Sequence, residues 1–152
     1  MKYTPQDPNF VEIIRNSFAK QQVMNLIGAR LMNVAPGEVA IELPYRENLT
    51  QQHGYFHAGI TATIADSAGG YAAYTLFPPR SNVLSVEFKI NLIAPANGEK
   101  ITAHARVVKH GRTLTIVEFE VFVLREGEEH RCAIGLQTVM CLPEKEKVAL
   151  VQ

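Results

Sequence analysis

Residues His53 to Phe77 read HGYFHAGITATIADSAGGYAAYTLF, and this stretch decides the fold. From Ala58 onward it is too long for a single strand and apolar almost all the way round, the pattern of a helix buried on every side. The rest of the chain has to be arranged around it. Apart from His53 and His57, its only acid or base is Asp66, and an isolated carboxylate in apolar surroundings is costly unless something pairs with it or uses it. Helix capping does not account for Asp66. The helix opens near His57, just beyond Gly54, which leaves the carboxylate more than two turns inside.

Working outward, 152 residues suffice for one domain spanning 1–152, with a sizeable core and no need of a covalent staple. Cys132 and Cys141 are the only cysteines and follow no zinc or redox spacing, so both are expected to be reduced and structural. Met1 to Asp7 lack the apolar core of a secretory leader, and no run of eighteen apolar residues spans a membrane, so a cytoplasmic location is expected. Fifteen Lys and Arg against fifteen Asp and Glu remove the electrostatic case for nucleic acid or an anionic membrane. The expected partners are small molecules or copies of the same chain.

Upstream, Asp7-Pro8 reads as a helix start, with the carboxylate as N-cap and proline at the first helical position. Phe10, Ile13, Ile14 and Phe18 continue at helical intervals, predicting a short helix over about residues 8–23. Leu26 to Val34 and Val39 to Pro44 flank the turn-forming Ala35-Pro36-Gly37-Glu38 and predict a hairpin. Downstream, Pro78-Pro79 stops the central helix after Phe77, and four strands follow on short turns. In Val83 to Ile93, Leu84, Val86, Phe88, Ile90 and Leu92 share one face, and Ser85, Glu87, Lys89 and Asn91 the other. Glu99 to Lys109, Thr113 to Leu124, and a last strand marked by Cys132, Ile134, Leu136, Thr138 and Met140 precede a charged tail over 144–152. Hairpin-linked strands around one apolar helix predict an α+β hot-dog fold, an antiparallel sheet wrapped around one long central helix.

Several chemistries drop out. There is no G-x-S-x-G elbow, no Gly-rich phosphate loop before a helix and no H-E-x-x-H. What remains is a cluster at one helix entrance: Gln51, Gln52, His53, Gly54, His57, Ala58 and Gly59, with Asp66 further in. Unpaired N–H groups and the partial positive charge of a helix N-terminus can polarise a carbonyl oxygen, and small residues such as Ala58 and Gly59 let a ligand approach. Asp66 then serves as nucleophile or general base in acyl transfer. Lys109, Arg112 and Arg80, at strand turns, are the candidates to meet an anionic part of a ligand. His53 and His57 are four apart, but Gly54 places the first in a loop, so no metal site is expected.

Gln52-His53-Gly54-Tyr55-Phe56-His57-Ala58-Gly59, followed by Ala62 to Asp66, resembles the His-Gly-Gly motif and helix-borne Asp of the PaaI-type hot-dog acyl-CoA thioesterases. Pro95-Ala96 with Gly98-Glu99, and the turn Gly111-Arg112-Thr113, resemble later landmarks of the same family in the same order. The resemblance implies an acyl-CoA substrate hydrolysed to free acid and coenzyme A, with no cofactor beyond the coenzyme A of the substrate. It implies a homodimer with shared active sites, the helix entrance from one subunit and Asp66 from the other, in an expected homotetramer. By the same resemblance the Ala58 N–H holds the thioester oxygen, His57 orders the helix entrance, the Gln51 amide meets the thioester or water, and Ser85 helps to hold the attacking water. His53 and Gly59 are expected beside the substrate, and Lys109, Arg112 and Arg80 against the coenzyme A phosphates. Ala58 stands where the motif has its first glycine, and Gln51 where Asn is frequent. Strict alternation turns Ser85 away from the helix, so its role requires a bulge or a contact across the dimer.

Two rival readings share this fold. A dehydratase or hydratase would use His57 and a carboxylate to move protons on the acyl carbons, although the proline-glycine helix approach of such enzymes is absent. A non-catalytic acyl-CoA binding domain would keep the fold without turnover. The structural reading of Asp66 has it bonded to a neighbour such as Ser67 or Thr63.

Overall fold

The computed structural model describes residues 3–144, and the tail over 145–152 lies outside them. The elements in order are α1 (Phe10–Lys20), α2 (Gln22–Ile27), β1 (Arg30–Ala35), β2 (Glu38–Pro44), a 3-10 turn (Glu47–Leu49), α3 (Ala58–Tyr74), β3 (Ser81–Leu92), β4 (Lys100–Lys109), β5 (Leu114–Arg125) and β6 (Glu128–Pro143). All six strands form one antiparallel sheet in the order β1-β2-β4-β5-β6-β3. The sheet lies against α3 through β2, β3, β4, β5 and β6, which is the predicted hot-dog arrangement. Ile64, Ala65, Ala68, Ala72 and Ala73 of the helix are buried with Ile41, Leu43, Ile101, Val117 and Val121 of the sheet. Each large aliphatic side chain so buried stabilises the fold by roughly 1.5–3 kcal/mol, and the alanines let helix and sheet approach closely. No helix among the described residues is long and apolar enough to cross a membrane.

The N-terminal stretch differs from expectation. Asp7 is not the N-cap and Pro8 not the first helical residue: the helix starts at Phe10 with Asn9 as its N-cap, and Asp7 Oδ1 accepts from the Asn9 N–H at 2.8 Å, closing a turn ahead of it. Extended backbone at Gln21 then breaks the expected helix over 8–23 into α1 and α2. Leu26 and Ile27 are helical rather than the start of a strand, because Met24 and Ile27 bury at helical spacing. Gly28, at φ 79°, ends α2 and turns the chain into β1.

Two irregularities in the ladders decide which side chains face α3. In β3 the register shifts between Ser85 and Glu87, so Val86 is an extra residue. Directly paired residues share a face. Val83 and Ser85 therefore pair with Cys141 and Val139 toward the helix, and beyond the bulge Phe88, Ile90 and Leu92 pair with Gln137, Gly135 and Ala133 on that same side. Leu84, expected beside Phe88, points outward with Met140. In β6 a second shift at Cys132 buries both Cys132 and Ala133. From there Gln137, Val139 and Cys141 face the helix, while Ile134, Leu136, Thr138 and Met140, which alternation singles out, face away.

Candidate active site

The loop into α3 is tied at four points. The Gln51 N–H donates to Tyr55 O at 2.9 Å, Gly54 N–H to Gln51 O at 3.0 Å, Phe56 N–H to Ala96 O at 3.0 Å and His57 N–H to Leu49 O at 3.0 Å. The Phe56–Ala96 bond brings Pro95-Ala96 against the helix entrance, so two sequence landmarks far apart in the chain meet. His57 is the N-cap, its Nδ1 accepting from the Gly59 N–H at 2.9 Å. That bond leaves the proton of a neutral ring on Nε2. The Gly59 N–H is thereby used, whereas the Ala58 N–H has no acceptor among the described residues. Gln51 and Ala58 line a cavity of about 430 Å³ whose walls include Tyr55, Phe56, Leu92, Ile93, Pro95 and Cys132. His53 is exposed, its N–H bonded to Gln51 Oε1. Burial pushes the Cys132 thiol up to about 11, which removes it as a nucleophile at neutral pH.

Asp66 lies eight residues beyond Ala58, roughly 12 Å along the helix axis. Its carboxylate meets two side chains from the sheet. Ser85 Oγ donates to Oδ1 at 2.6 Å. Gln137 Nε2 donates to the same Oδ1 at 2.6 Å, to Ser85 Oγ at 2.9 Å and to the Asp66 carbonyl at 3.2 Å. No ion pair involves Asp66 among the described residues. Ser67 and Thr63 do not satisfy the carboxylate, since Ser67 bonds Gln21 Oε1 at 3.3 Å and Thr63 bonds Gly59 O at 2.7 Å. Gln21, Ser67, Gly70, Tyr71 and Val83 complete a small cleft of about 130 Å³ around Asp66 and Ser85. The β3 bulge is what turns Ser85 into it.

The expected residues therefore fall into three places within one chain. Gln51 and Ala58 line the entrance cavity, Asp66 and Ser85 share the second cleft, and Arg80 and Arg112 line a third of about 660 Å³ near the end of β6. Arg80, at φ 61°, also lies 3.8 Å from Glu144. Lys109, exposed at the end of β4, does not line that third cleft.

A family model described as the thioesterase superfamily matches residues 53–129, which takes in the whole stretch from the helix entrance through β5. The chain belongs to the thioesterase superfamily. A solved thioesterase family protein from Silicibacter pomeroyi is 46% identical, superposes with a TM-score of 0.87, and the match covers 88% of this chain and 98% of that one. Acyl-coenzyme A thioesterase 13 of Homo sapiens is 34% identical over 92 residues, 60% of this chain and 65% of that protein. The E. coli PaaI protein shares the fold at a TM-score of 0.78, with 14% identity over 89% of this chain and 94% of that one. The PaaI-type resemblance read from the sequence agrees with these relatives.

In this thioesterase-superfamily chain, sequence reasoning passed over one residue of the Asp66 cluster. Gln137 is fully buried, and the signal available for it was Gly69, a glycine in the middle of a helix where alanine is favoured by about 1 kcal/mol. A Cβ at Gly69 would stand 1.8 Å from Gln137 Oε1.

Proposed function

We propose that this chain hydrolyses an acyl-CoA thioester to the free acid and coenzyme A. The observation that carries the reading is Asp66, a carboxylate deep in an apolar helix with donors on Oδ1 only, its Oδ2 free of partners among the described residues. A free carboxylate oxygen beside a cleft is placed to take a proton from water or to attack a carbonyl itself. The unclaimed Ala58 N–H, at a helix N-terminus and beside an apolar cavity, suits the oxygen on which negative charge develops. His57 orders that entrance by capping it through the Gly59 N–H and Gln51 offers its amide from the cavity wall, while His53 and Gly59, both exposed, do not line the cavity and would meet the substrate only outside it.

In the general-base route, Asp66 removes a proton from water as the oxygen adds to the thioester carbon, and the charge moves to the oxygen held by the Ala58 N–H. Ser85 helps to hold the water. The tetrahedral intermediate collapses, the C–S bond breaks, and the proton on Asp66 goes to the leaving sulfur. In the nucleophilic route Asp66 itself adds to the thioester carbon, the C–S bond breaks to give an anhydride and a thiolate that takes its proton from solvent, and water then hydrolyses the anhydride to the free acid and the Asp66 carboxylate. Neither route needs a metal or a further cofactor.

Roughly 12 Å of helix separates Ala58 from Asp66 in one chain, too far for both to serve one carbonyl carbon. A dimer with shared sites, the helix entrance from one copy and Asp66 with Ser85 from the other, resolves this. The edge strand β3 supports such pairing: it has one unpaired side and exposes Leu84, Val86, Phe88 and Leu92, with Ile93 just beyond it, an edge of the kind that natural sheets cover. Two such dimers would form the tetramer. Arg80 and Arg112 suit the coenzyme A phosphates, because they share one cleft about five strand residues, or roughly 16 Å, from Ser85. The dehydratase reading is disfavoured, since His57 Nδ1 is already engaged by Gly59.

Release of free thiol from a panel of acyl-CoA thioesters of graded chain length and aromatic character tests the proposal. Turnover of at least one member is expected. Binding without thiol release would support the non-catalytic domain instead.

A further inference from the structure

The feature that the proposed chemistry leaves unexplained is the buried Gln137. Its side chain reaches from the middle of β6 to α3, and its Oε1 is the one buried side-chain oxygen or nitrogen without a hydrogen bond among the described residues. A buried carbonyl without a partner is destabilising, and a nonpolar side chain of the same size would fill the space without that penalty. The opposing helix position makes room for it at further cost. At Gly69, one turn beyond Asp66, any Cβ would overlap Oε1. Two local choices that disfavour the fold, an unsatisfied amide oxygen and a mid-helix glycine, thus serve one geometry. That geometry is the amide nitrogen placed 2.6 Å from Asp66 Oδ1 and 2.9 Å from Ser85 Oγ.

We infer that Gln137, seated by Gly69, is a positioning residue that aims the Asp66 carboxylate. Its N–H groups and the Ser85 hydroxyl both hold Oδ1, which fixes the plane of the carboxylate and leaves Oδ2 as the oxygen that works on water or the acyl carbon. Because Gln137 Nε2 donates to Ser85 Oγ, the Ser85 proton is directed to Asp66 rather than to another acceptor. Gln137 therefore sets the orientation of both groups while touching no substrate. The inference rests on the assignment of Asp66 as base or nucleophile.

The test compares the full-length parent with Gln137→Met, Asp66→Asn and the double variant, on the best substrate of the panel. Met keeps the volume and removes both the donor and the unsatisfied oxygen. Gln137→Met is expected to melt within about 3 °C of the parent, since it loses a hydrogen bond and an unsatisfied group together. Its kcat is expected to fall about 10- to 100-fold at unchanged KM, the scale of misplacing a catalytic group by an ångström. The double variant should be no slower than Asp66→Asn alone, because Gln137 acts only through Asp66. A residue serving structure alone would lower the melting temperature and spare kcat, which overturns the inference. So does a further loss in the double variant. A second variant, Gln137→Glu, keeps the shape and donates only when protonated, so its kcat relative to the parent should rise as pH is lowered. A flat ratio overturns the inference too. If Asp66→Asn itself retains full turnover, the proposed function fails first, and the two failures are distinguishable.

Discussion

Replacing Ala58 by proline removes one hydrogen-bond donor and little else. Position 58 is the first residue of α3, where a proline is tolerated because the N–H has no intrahelical acceptor. His57 before it has φ −63° and ψ 140°, inside the extended region that a residue preceding proline must occupy. No acceptor among the described residues loses its donor. The fold should persist, with stability unchanged or raised by ~0.4–1 kcal/mol through the stiffer unfolded chain. If the Ala58 N–H receives the thioester oxygen, removing it costs about 10²- to 10³-fold in kcat, ~2.7–4 kcal/mol of transition-state stabilisation. Ala58→Gly is the companion variant, keeping the N–H and deleting only a methyl group, and it should retain turnover. Thiol release measured beside thermal melting and light scattering separates the two effects. An Ala58→Pro protein that folds, assembles as the parent does and keeps kcat within about threefold would refute the oxyanion assignment.

Other outcomes follow from the same geometry. Ala58→Pro and Asp66→Asn, each inactive alone, should regain about a quarter of parental activity when unfolded together and refolded at equal amounts, because half of the dimers then carry one intact shared site; no recovery would place both groups in one subunit's site. Ser85→Ala removes one of two donors on Asp66 Oδ1 and should lower kcat about tenfold while costing ~1–2 kcal/mol of stability by thermal melting. Burial holds the His110 imidazole below its ordinary 6.5, so the folded state resists protonation; its contribution to stability is full above 6.5 and is lost as pH falls from there toward the lowered folded value. His110→Gln should flatten the melting temperature over that acidic window, and an unchanged slope would assign the loss to other groups.

The expected burial of the central helix on every side is not met, since Ala58 and Gly59 are exposed and Ile60, Ala62, Thr63, Asp66, Ser67 and Tyr74 only half-buried. Its long run of apolar residues nevertheless made it legible, and its start at His57 followed from Gly54 and the change of periodicity. Asp66 stood out for the same reason. The β3 and β6 faces were not legible. A bulge adds one residue without altering local composition, so Leu84 and Phe88 read as one face although Val86 separates them onto two. In β6 the apolar Ile134, Leu136 and Met140 drew attention to the outward face, and the helix-facing Gln137 passed as an ordinary polar alternate. The α2 segment was misread because a six-residue helix is too short to show its period, and its end depends on the left-handed backbone of Gly28. What Gln137 contacts, and why Gly69 is glycine, required two elements far apart in sequence to be placed together.

The most direct test of the account is the turnover of Asp66→Asn on the best acyl-CoA substrate, measured with its melting temperature and assembly state. The exchange keeps the volume of the side chain and leaves an oxygen to accept from Ser85 and Gln137, so the protein should fold and assemble as the parent does. The account predicts a kcat at least about a hundredfold lower, the scale of losing a general base. Near-parental turnover by a folded Asp66→Asn protein would contradict it.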